Sequence, residues 1–172
     1  MVQVGSIARG ALVALVSAAL LATPACGDDD ETPDSSSRDS DVYSAILDTV
    51  AAEEPVEDEE TPLLYVAPLG NEKPIPLDVQ VSVVDAIADV AVVRFVDEAE
   101  QAIDQDGEGE PVFDDGLLVS LGSVPPDGSS VHVPGELYRT AADTSAVEYE
   151  VNETADGWVV IQARSASEAS SG

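Results

Sequence analysis

Alternation of apolar and polar side chains in the last third of the chain constrains the fold most strongly. Val147, Tyr149 and Val151 fall on one side of an extended segment, and polar residues fall between them. A period of two residues predicts a half-buried β-strand. Three similar segments lie at 117–124, 130–139 and 158–164.

Short connections with turn-forming residues join these four segments. Pro125-Pro126-Asp127-Gly128 and Asp156-Gly157 have the residue types that turns favour. Strands joined in this way form an antiparallel meander, and we expect a bulge at Pro134-Gly135 in the second strand. An apolar face is predicted to bury Leu121, Tyr149 and Trp158.

Helical and extended segments are both predicted ahead of the meander. A helix over 41–52 is indicated by an apolar stripe at i, i+3, i+4 and i+7, and Ser40 or Asp41 can cap it. The stripe consists of Tyr43, Ile46, Leu47 and Val50. Apolar runs at 63–67 and 91–96 predict two short strands.

Segment 78–89 fits two periodicities. Val79, Val81 and Val83 alternate as in a strand, whereas Val79, Val83 and Ile87 share one face of a helix. We favour the helix. A further short helix capped by Asp97 is expected after the strand at 91–96. The predicted fold class is α+β, with N-terminal helices and two short strands packed on a C-terminal four-stranded antiparallel meander.

The charge balance restricts the class of partner. The 172 residues include 35 Asp and Glu against six Lys and Arg, a formal net charge of −29. Nucleic acid is excluded as a partner because its binding depends on Lys and Arg that neutralise phosphates. The charge indicates either a surface adapted to salt and solubility, or one that recruits calcium, polyamines or a basic protein.

The N-terminus has the features of an export signal. Arg9 is the single charged side chain of residues 1–25, and an apolar run over 10–22 is too short to span a bilayer. Ala25 precedes Cys26 and Gly27 follows it. This segment resembles the signal peptide of bacterial lipoproteins, although Thr23 stands where that family usually has Leu.

The resemblance implies that Cys26 becomes the lipidated N-terminus of an exported protein, anchored at the outer face of the cell membrane or in the cell envelope. The alternative is secretion by ordinary signal peptidase, for which Thr23 and Ala25 also suit. As the only Cys, Cys26 excludes an intramolecular disulfide and a Cys-based zinc site. The predicted organisation is a signal peptide (1–25), a disordered acidic tether (26–40), one domain (41–164) and a flexible tail (165–172).

One acidic loop is similar to an EF-hand calcium loop. Its oxygen ligands would be Asp104, Asp106, Glu108 and Asp115, at positions 1, 3, 5 and 12, with Gly109 at position 6. Asp115 replaces the usual Glu, and Pro111 restricts the loop. The segment therefore predicts either a weak calcium site or a solvated acidic loop.

Residues suited to catalysis are sparse. His132 is the only histidine and is predicted to lie on the polar face of a strand. Arg94, Arg139 and Arg164 could converge on an anionic ligand, but we expect them to pair with surplus carboxylates. The favoured function is a lipid-anchored binding or scaffolding module without enzyme activity. The alternatives are a secreted hydrolase that uses carboxylates such as Asp114 and Asp115, and a weak calcium-binding envelope protein.

Overall fold

The computed structural model describes residues 35–54 and 61–165. Two α-helices, two short 3₁₀ turns and six strands make up this part of the chain. The helices are α1 (Ser35–Glu53) and α2 (Leu77–Ile87). The strands are β1 (Leu63–Pro68), β2 (Val92–Phe95), β3 (Leu117–Leu121), β4 (Ser130–Thr140), β5 (Asp143–Thr154) and β6 (Gly157–Ser165).

All six strands form one mixed sheet in the order β2-β1-β3-β4-β5-β6. Strand β1 pairs in parallel with β2 and β3, and the pairings from β3 to β6 are antiparallel. The α+β class is confirmed. The four C-terminal strands pair antiparallel in sequence order as predicted, but they belong to a six-stranded mixed sheet, and the two N-terminal strands are not packed on a four-stranded one. The two N-terminal strands extend the same sheet, through a pairing between residues that lie more than 50 positions apart.

Both helices cover the same face of the sheet. The predicted stripe of α1, from Tyr43 to Val50, is buried against strand residues such as Val119 and Tyr149. The helical interpretation of 78–89 is confirmed, because α2 buries Val79 and Val83 in the same core. Tyr149 and Leu121 are fully buried as predicted, whereas Trp158 is half-buried at the edge of this core.

A smaller cluster covers the opposite face of β1 and β3. It buries Tyr65 and Leu118 against Ala102 and Val112, which lie between β2 and β3. Every residue of β3 is buried, since both faces of this strand are covered. Burial on both faces explains why β3 is mostly apolar without the predicted alternation. The strand ends at Leu121 and not at Val124 as predicted.

Helix α1 begins six residues before the predicted start, so the prediction that 35–40 belongs to a disordered tether is wrong. Arg38 donates hydrogen bonds to the carbonyl oxygens of Pro125 and Gly128, and its guanidinium lies 5.1 Å from the centre of the Trp158 ring. Tertiary contacts therefore stabilise a helical turn that has no large apolar side chain. Residues 1–34, 55–60 and 166–172 lie outside the described residues, as do the predicted signal peptide, Cys26 and nearly all of the predicted tail.

Two local predictions also need correction. The register shifts in β4 between Tyr138 and Thr140, and not at Pro134-Gly135. Gly135 instead permits close packing, because a Cβ there would lie 3.0 Å from Tyr149 Cε2. The segment after β2 forms a 3₁₀ turn over Ala99–Ala102, whose N-cap is Glu98 without a side-chain hydrogen bond, so Asp97 is not its cap.

Candidate functional site

A cleft of about 840 Å³ lies beyond the carboxyl ends of the parallel strands β1 and β2. The loop after β1 forms one wall, from Pro68 to Pro74, and the segment Asp97 to Glu100 after β2 forms another. Strands β3 and β4 contribute Ser120 and Glu136. A cavity of this volume lies within the range of small-molecule sites.

Chain connectivity explains why a cleft forms there. The connection from β1 to β2 contains α2 and packs on the helix-covered face, whereas the connection from β2 to β3 packs on the opposite face. Strands β2 and β3 flank β1 on its two sides. Connections that leave neighbouring parallel strands toward opposite faces leave a crevice at the strand ends, where open α/β sheets bind ligands.

Among the described residues, all charged side chains that line the cleft are carboxylates. They are Glu72, Asp97, Glu98, Glu100 and Glu136. A concave surface lined by one sign of charge concentrates the field and raises the local concentration of oppositely charged ligands. This arrangement favours a cation as the ligand.

Glu72 has a fixed position in the wall of the cleft. Ser123, which follows β3, donates its backbone N–H to Glu72 Oε2 at 2.6 Å and also donates its hydroxyl to this oxygen. Hydrogen bonds to a carboxylate oxygen are stronger than those between neutral groups. The loop after β1 is therefore tied to the end of β3.

Ser120 places a buried hydroxyl-bearing side chain beside the cleft. Its neighbours Val119 and Leu121 belong to the helix-side core, so alternation along β3 directs Ser120 to the opposite face. The residue is 4% exposed and lines the cleft. Glu136 lies directly across the strand pair from it. A ligand that donates hydrogen bonds would find an acceptor at this position.

The three arginines singled out from the sequence each have a carboxylate partner. Arg94 contacts Asp114 at 2.9 Å, Arg139 contacts Glu54 at 2.6 Å and Arg164 lies 3.9 Å from Glu150. The expected pairing with surplus carboxylates is confirmed. These arginines do not form one anion site, since they lie on β2, β4 and β6 with separate partners.

Arg94 also joins two elements on the outer face of the sheet. It donates a hydrogen bond to the Tyr65 hydroxyl at 2.9 Å, and its guanidinium lies 5.6 Å from the centre of that ring. The pKa of Arg94 is raised, chiefly by the hydrogen bond with Asp114 and to a lesser extent by the one with Tyr65. Asp114 adopts a left-handed backbone conformation with φ of 58°. This carboxylate, one of the two that the hydrolase hypothesis named, is thus part of an ion pair with Arg94.

The predicted calcium ligands Asp104, Asp106, Glu108 and Asp115 lie in a loop closed mainly by its own backbone. Asp104 donates its N–H to the Pro111 carbonyl at 2.8 Å, and its Oδ1 accepts the N–H of Asp106 at 3.2 Å. Gly109 has a φ of 81°, as the predicted sharp turn requires. Across residues 35–54 and 61–165, no group of three or more His, Cys, Asp or Glu side chains could hold a metal ion. The loop therefore has the expected turn without bringing three of its carboxylates together.

His132 lies on the exposed face of β4, as the alternation predicts. Its Nδ1 is 3.4 Å from Glu148 Oε1, and its side chain is about half exposed. His132 lies four residues before Glu136 on the same strand, but it is not among the residues that line the cleft. We therefore assign His132 no role in the site.

Comparison of the chain with protein-family models, with curated proteins and with solved structures finds no match. Within the described residues, no helix is long and apolar enough to cross a membrane. The cleft was not predicted from the sequence, because acidic residues are too dense for any one cluster to stand out. A usable signal was the position of Glu72 and Asp97 shortly after two apolar strands, but it required the parallel pairing of those strands to be known.

Proposed function

We propose that this protein is an exported, lipid-anchored binding module that captures an organic cation in the acidic cleft. The observation that carries the proposal is the set of five carboxylates around a cavity of about 840 Å³ with Ser120 beside it. A ligand with several amino or guanidinium groups, such as a polyamine, matches both the charge and the hydrogen-bond acceptors. Such a ligand can contact carboxylates that are not grouped around a single point.

The five carboxylates of the cleft come from the loop after β1, the segment after β2 and strand β4, and this separation favours a ligand with several spaced charges. Calcium and magnesium require six or more oxygen ligands around one centre. An extended polyamine distributes its charges along a chain and needs no such convergence. The cleft therefore suits a longer cation better than a compact one.

A lipid anchor at Cys26 is consistent with this role. The excess of acidic residues, 35 against six Lys and Arg, would repel the protein from an anionic bilayer, so that the domain projects into the surrounding solution. Replacement of Cys26 by Ser should abolish partitioning of the full-length protein into the detergent phase in a bacterium that processes lipoproteins. Unchanged membrane retention of that variant would contradict the anchor while leaving the cleft proposal standing.

Hydrolysis by a carboxylate pair has less support. Such chemistry requires two acids with opposed environments in one pocket. Burial raises the pKa of Asp39, against the influence of Arg38, and burial also raises the pKa of Asp41. Both residues lie on α1 and line two other depressions, not the acidic cleft.

Titration calorimetry with spermidine at low ionic strength tests the cleft proposal. The Glu98→Gln/Glu136→Gln variant removes two carboxylates from the cleft. The Glu153→Gln/Asp156→Asn variant removes two exposed carboxylates near the β5–β6 turn and serves as the charge-matched control. We expect affinity to fall about tenfold or more in the first variant and less than about threefold in the second. Equal losses of spermidine affinity in the two variants would show that binding depends only on the overall charge, and would refute the proposal.

A further inference from the structure

Helix α2 has a second apolar stripe that the core does not use. Leu77, Val81 and Val84 are 74%, 54% and 38% exposed. Val79 and Val83, on the other side of the same helix, are buried. A surface helix needs one apolar stripe for its own packing, and Leu77, Val81 and Val84 lie outside that stripe.

Strand β2 lies beside α2 at the edge of the sheet and pairs, among the described strands, only with β1. The N–H groups of Val92 and Val96 donate to the carbonyls of Pro62 and Val66 on the β1 side, each at 2.9 Å. Hydrogen-bonding direction alternates along a strand, so the N–H groups of Val93 and Phe95 point away from the sheet. A row of backbone donors and acceptors is thus available next to an apolar helix face.

The helix and the strand edge together line a groove of about 310 Å³. Its lining residues are Leu77, Gln80, Val81, Val84 and Asp85 of α2 with Val93 and Phe95 of β2. An extended peptide that adds to a strand edge gains main-chain hydrogen bonds and places alternate side chains in the adjoining groove. We infer that this groove, the α2–β2 groove, binds an extended segment of another protein with alternating apolar side chains flanked by Lys or Arg.

Charge selects this occupant over a second copy of the chain. Asp85 lines the groove, and Asp78 and Asp89 are exposed near the two ends of α2. A second copy would bring the same carboxylates and a charge of −29 against them. Basic flanking residues would complement those carboxylates and be drawn by the charge of the whole protein.

Three segments of this chain outside the described residues do not suit the groove by composition. Residues 26–34 and 55–60 are predominantly acidic, and 166–172 contain no large apolar side chain. The apolar run at 10–22 belongs to the predicted signal peptide. An anionic lipid surface would be repelled by the same carboxylates.

The test uses a defined probe, the synthetic peptide acetyl-Lys-Val-Thr-Val-Thr-Val-Lys-amide. A control peptide has Glu in place of both Lys residues. Binding to the ¹⁵N-labelled protein is followed by NMR. The basic peptide should shift the amides of Val93 and Phe95 and slow their hydrogen exchange, and the acidic peptide should bind at least about tenfold more weakly. No shift at these two amides with millimolar basic peptide would overturn the inference.

Variants at equally exposed positions locate the site. Val81→Glu, or Leu77→Ser as a milder change, should lower the affinity for the basic peptide by about tenfold. Ile161→Glu is the matched control, since Ile161 is 53% exposed on β6 at the opposite edge of the sheet. Equal weakening by Val81→Glu and Ile161→Glu would contradict the groove.

Two further results would assign the surface to another occupant and so overturn the inference. One is a concentration-dependent dimer in analytical ultracentrifugation that Val81→Glu abolishes. The other is binding of the domain to phosphatidylglycerol vesicles that depends on Val81. Spermidine binding should be the same in Val81→Glu and the wild type, which separates this inference from the function proposed for the cleft.

Discussion

Tyr43 and Tyr149 are buried tyrosines whose hydroxyl groups have different surroundings. Tyr43 donates a hydrogen bond to the Gly122 carbonyl at 3.0 Å, whereas the Tyr149 hydroxyl has no partner among the described residues. Burial raises the pKa of both to about 12, and nearby carboxylates add to the effect: Asp39 and Glu72 for Tyr43, and Glu53 for Tyr149. The two side chains should therefore respond alike to pH and differently to removal of the hydroxyl.

The pH dependence of stability follows from the direction of these shifts. A tyrosine whose pKa is raised on folding contributes stability that is fully present below its ordinary pKa of 10.0 and is lost as the pH rises toward about 12. At pH 7, Tyr149→Phe should leave the free energy of unfolding nearly unchanged, whereas Tyr43→Phe should lower it by about 1 kcal/mol. Between pH 10 and 12, Tyr149→Phe should lose less stability than the wild type.

Urea unfolding at a series of pH values measures both effects. Equal destabilisation by the two substitutions at pH 7 would indicate that the Tyr149 hydroxyl has a partner. An identical alkaline loss in Tyr149→Phe and the wild type would contradict the burial of that hydroxyl.

Among the secondary-structure elements, α2 is the one for which the sequence allowed two interpretations, a strand or a helix over residues 78–89. In a strand Val81 and Val83 would share a face, whereas the helix exposes Val81 and fully buries Val83. Val83→Ala should therefore lower the free energy of unfolding by about 2 kcal/mol, and Val81→Ala by less than about 0.5 kcal/mol. Chemical denaturation of the two variants provides the measurement, and similar losses in both would contradict the helix.

The start of α1 depends on Arg38. Arg38→Ala removes two hydrogen bonds to the β3–β4 connection and the contact with the Trp158 ring, so we expect a loss of about 1 to 3 kcal/mol and a shift in Trp158 fluorescence. Arg164→Ala is the control, because its carboxylate partner lies 3.9 Å away and an exposed pair of this kind contributes about 1 kcal/mol or less. Equal losses in the two variants would argue against an anchor at Arg38.

Local pattern was sufficient for elements whose residues contact near neighbours in sequence. The stripe from Tyr43 to Val50 and the alternation from Val147 to Val151 were confirmed because each follows one face of one element. Local pattern gave the wrong prediction where an element depends on contacts with residues that are distant in the sequence. The helical turn at 35–40 depends on Pro125 and Gly128, and β3 lost its alternation because the segment after β2 covers its outer face.

For the whole molecule, the parallel pairing of β1 with β3 determines both candidate binding surfaces. This pairing joins Leu64 to Leu117 and leaves β2 at the sheet edge. It also brings the loop after β1 and the segment after β2 to one end of the sheet, where the acidic cleft lies. Neither surface could be predicted from the sequence, because no local pattern indicates which distant strands pair.

The high negative charge has a clearer role once the cleft is described. In the sequence, the 35 acidic residues fit a solvated surface as well as a cationic partner. In the fold, five of them line one cavity whose charged side chains are all carboxylates. A uniform surface charge would bind polyamines at many positions with low affinity, whereas the cleft should bind them at one.

Titration of the ¹⁵N-labelled protein with spermidine at moderate ionic strength, followed at the backbone amides, tests this distinction most directly. Our account predicts saturable shifts concentrated at Glu72, Glu98, Ser120 and Glu136, with little change at Glu153 and Asp156 near the β5–β6 turn. Shifts of similar size at acidic positions throughout the sheet, without saturation, would contradict a specific cation site and would leave the charge as a property of the surface.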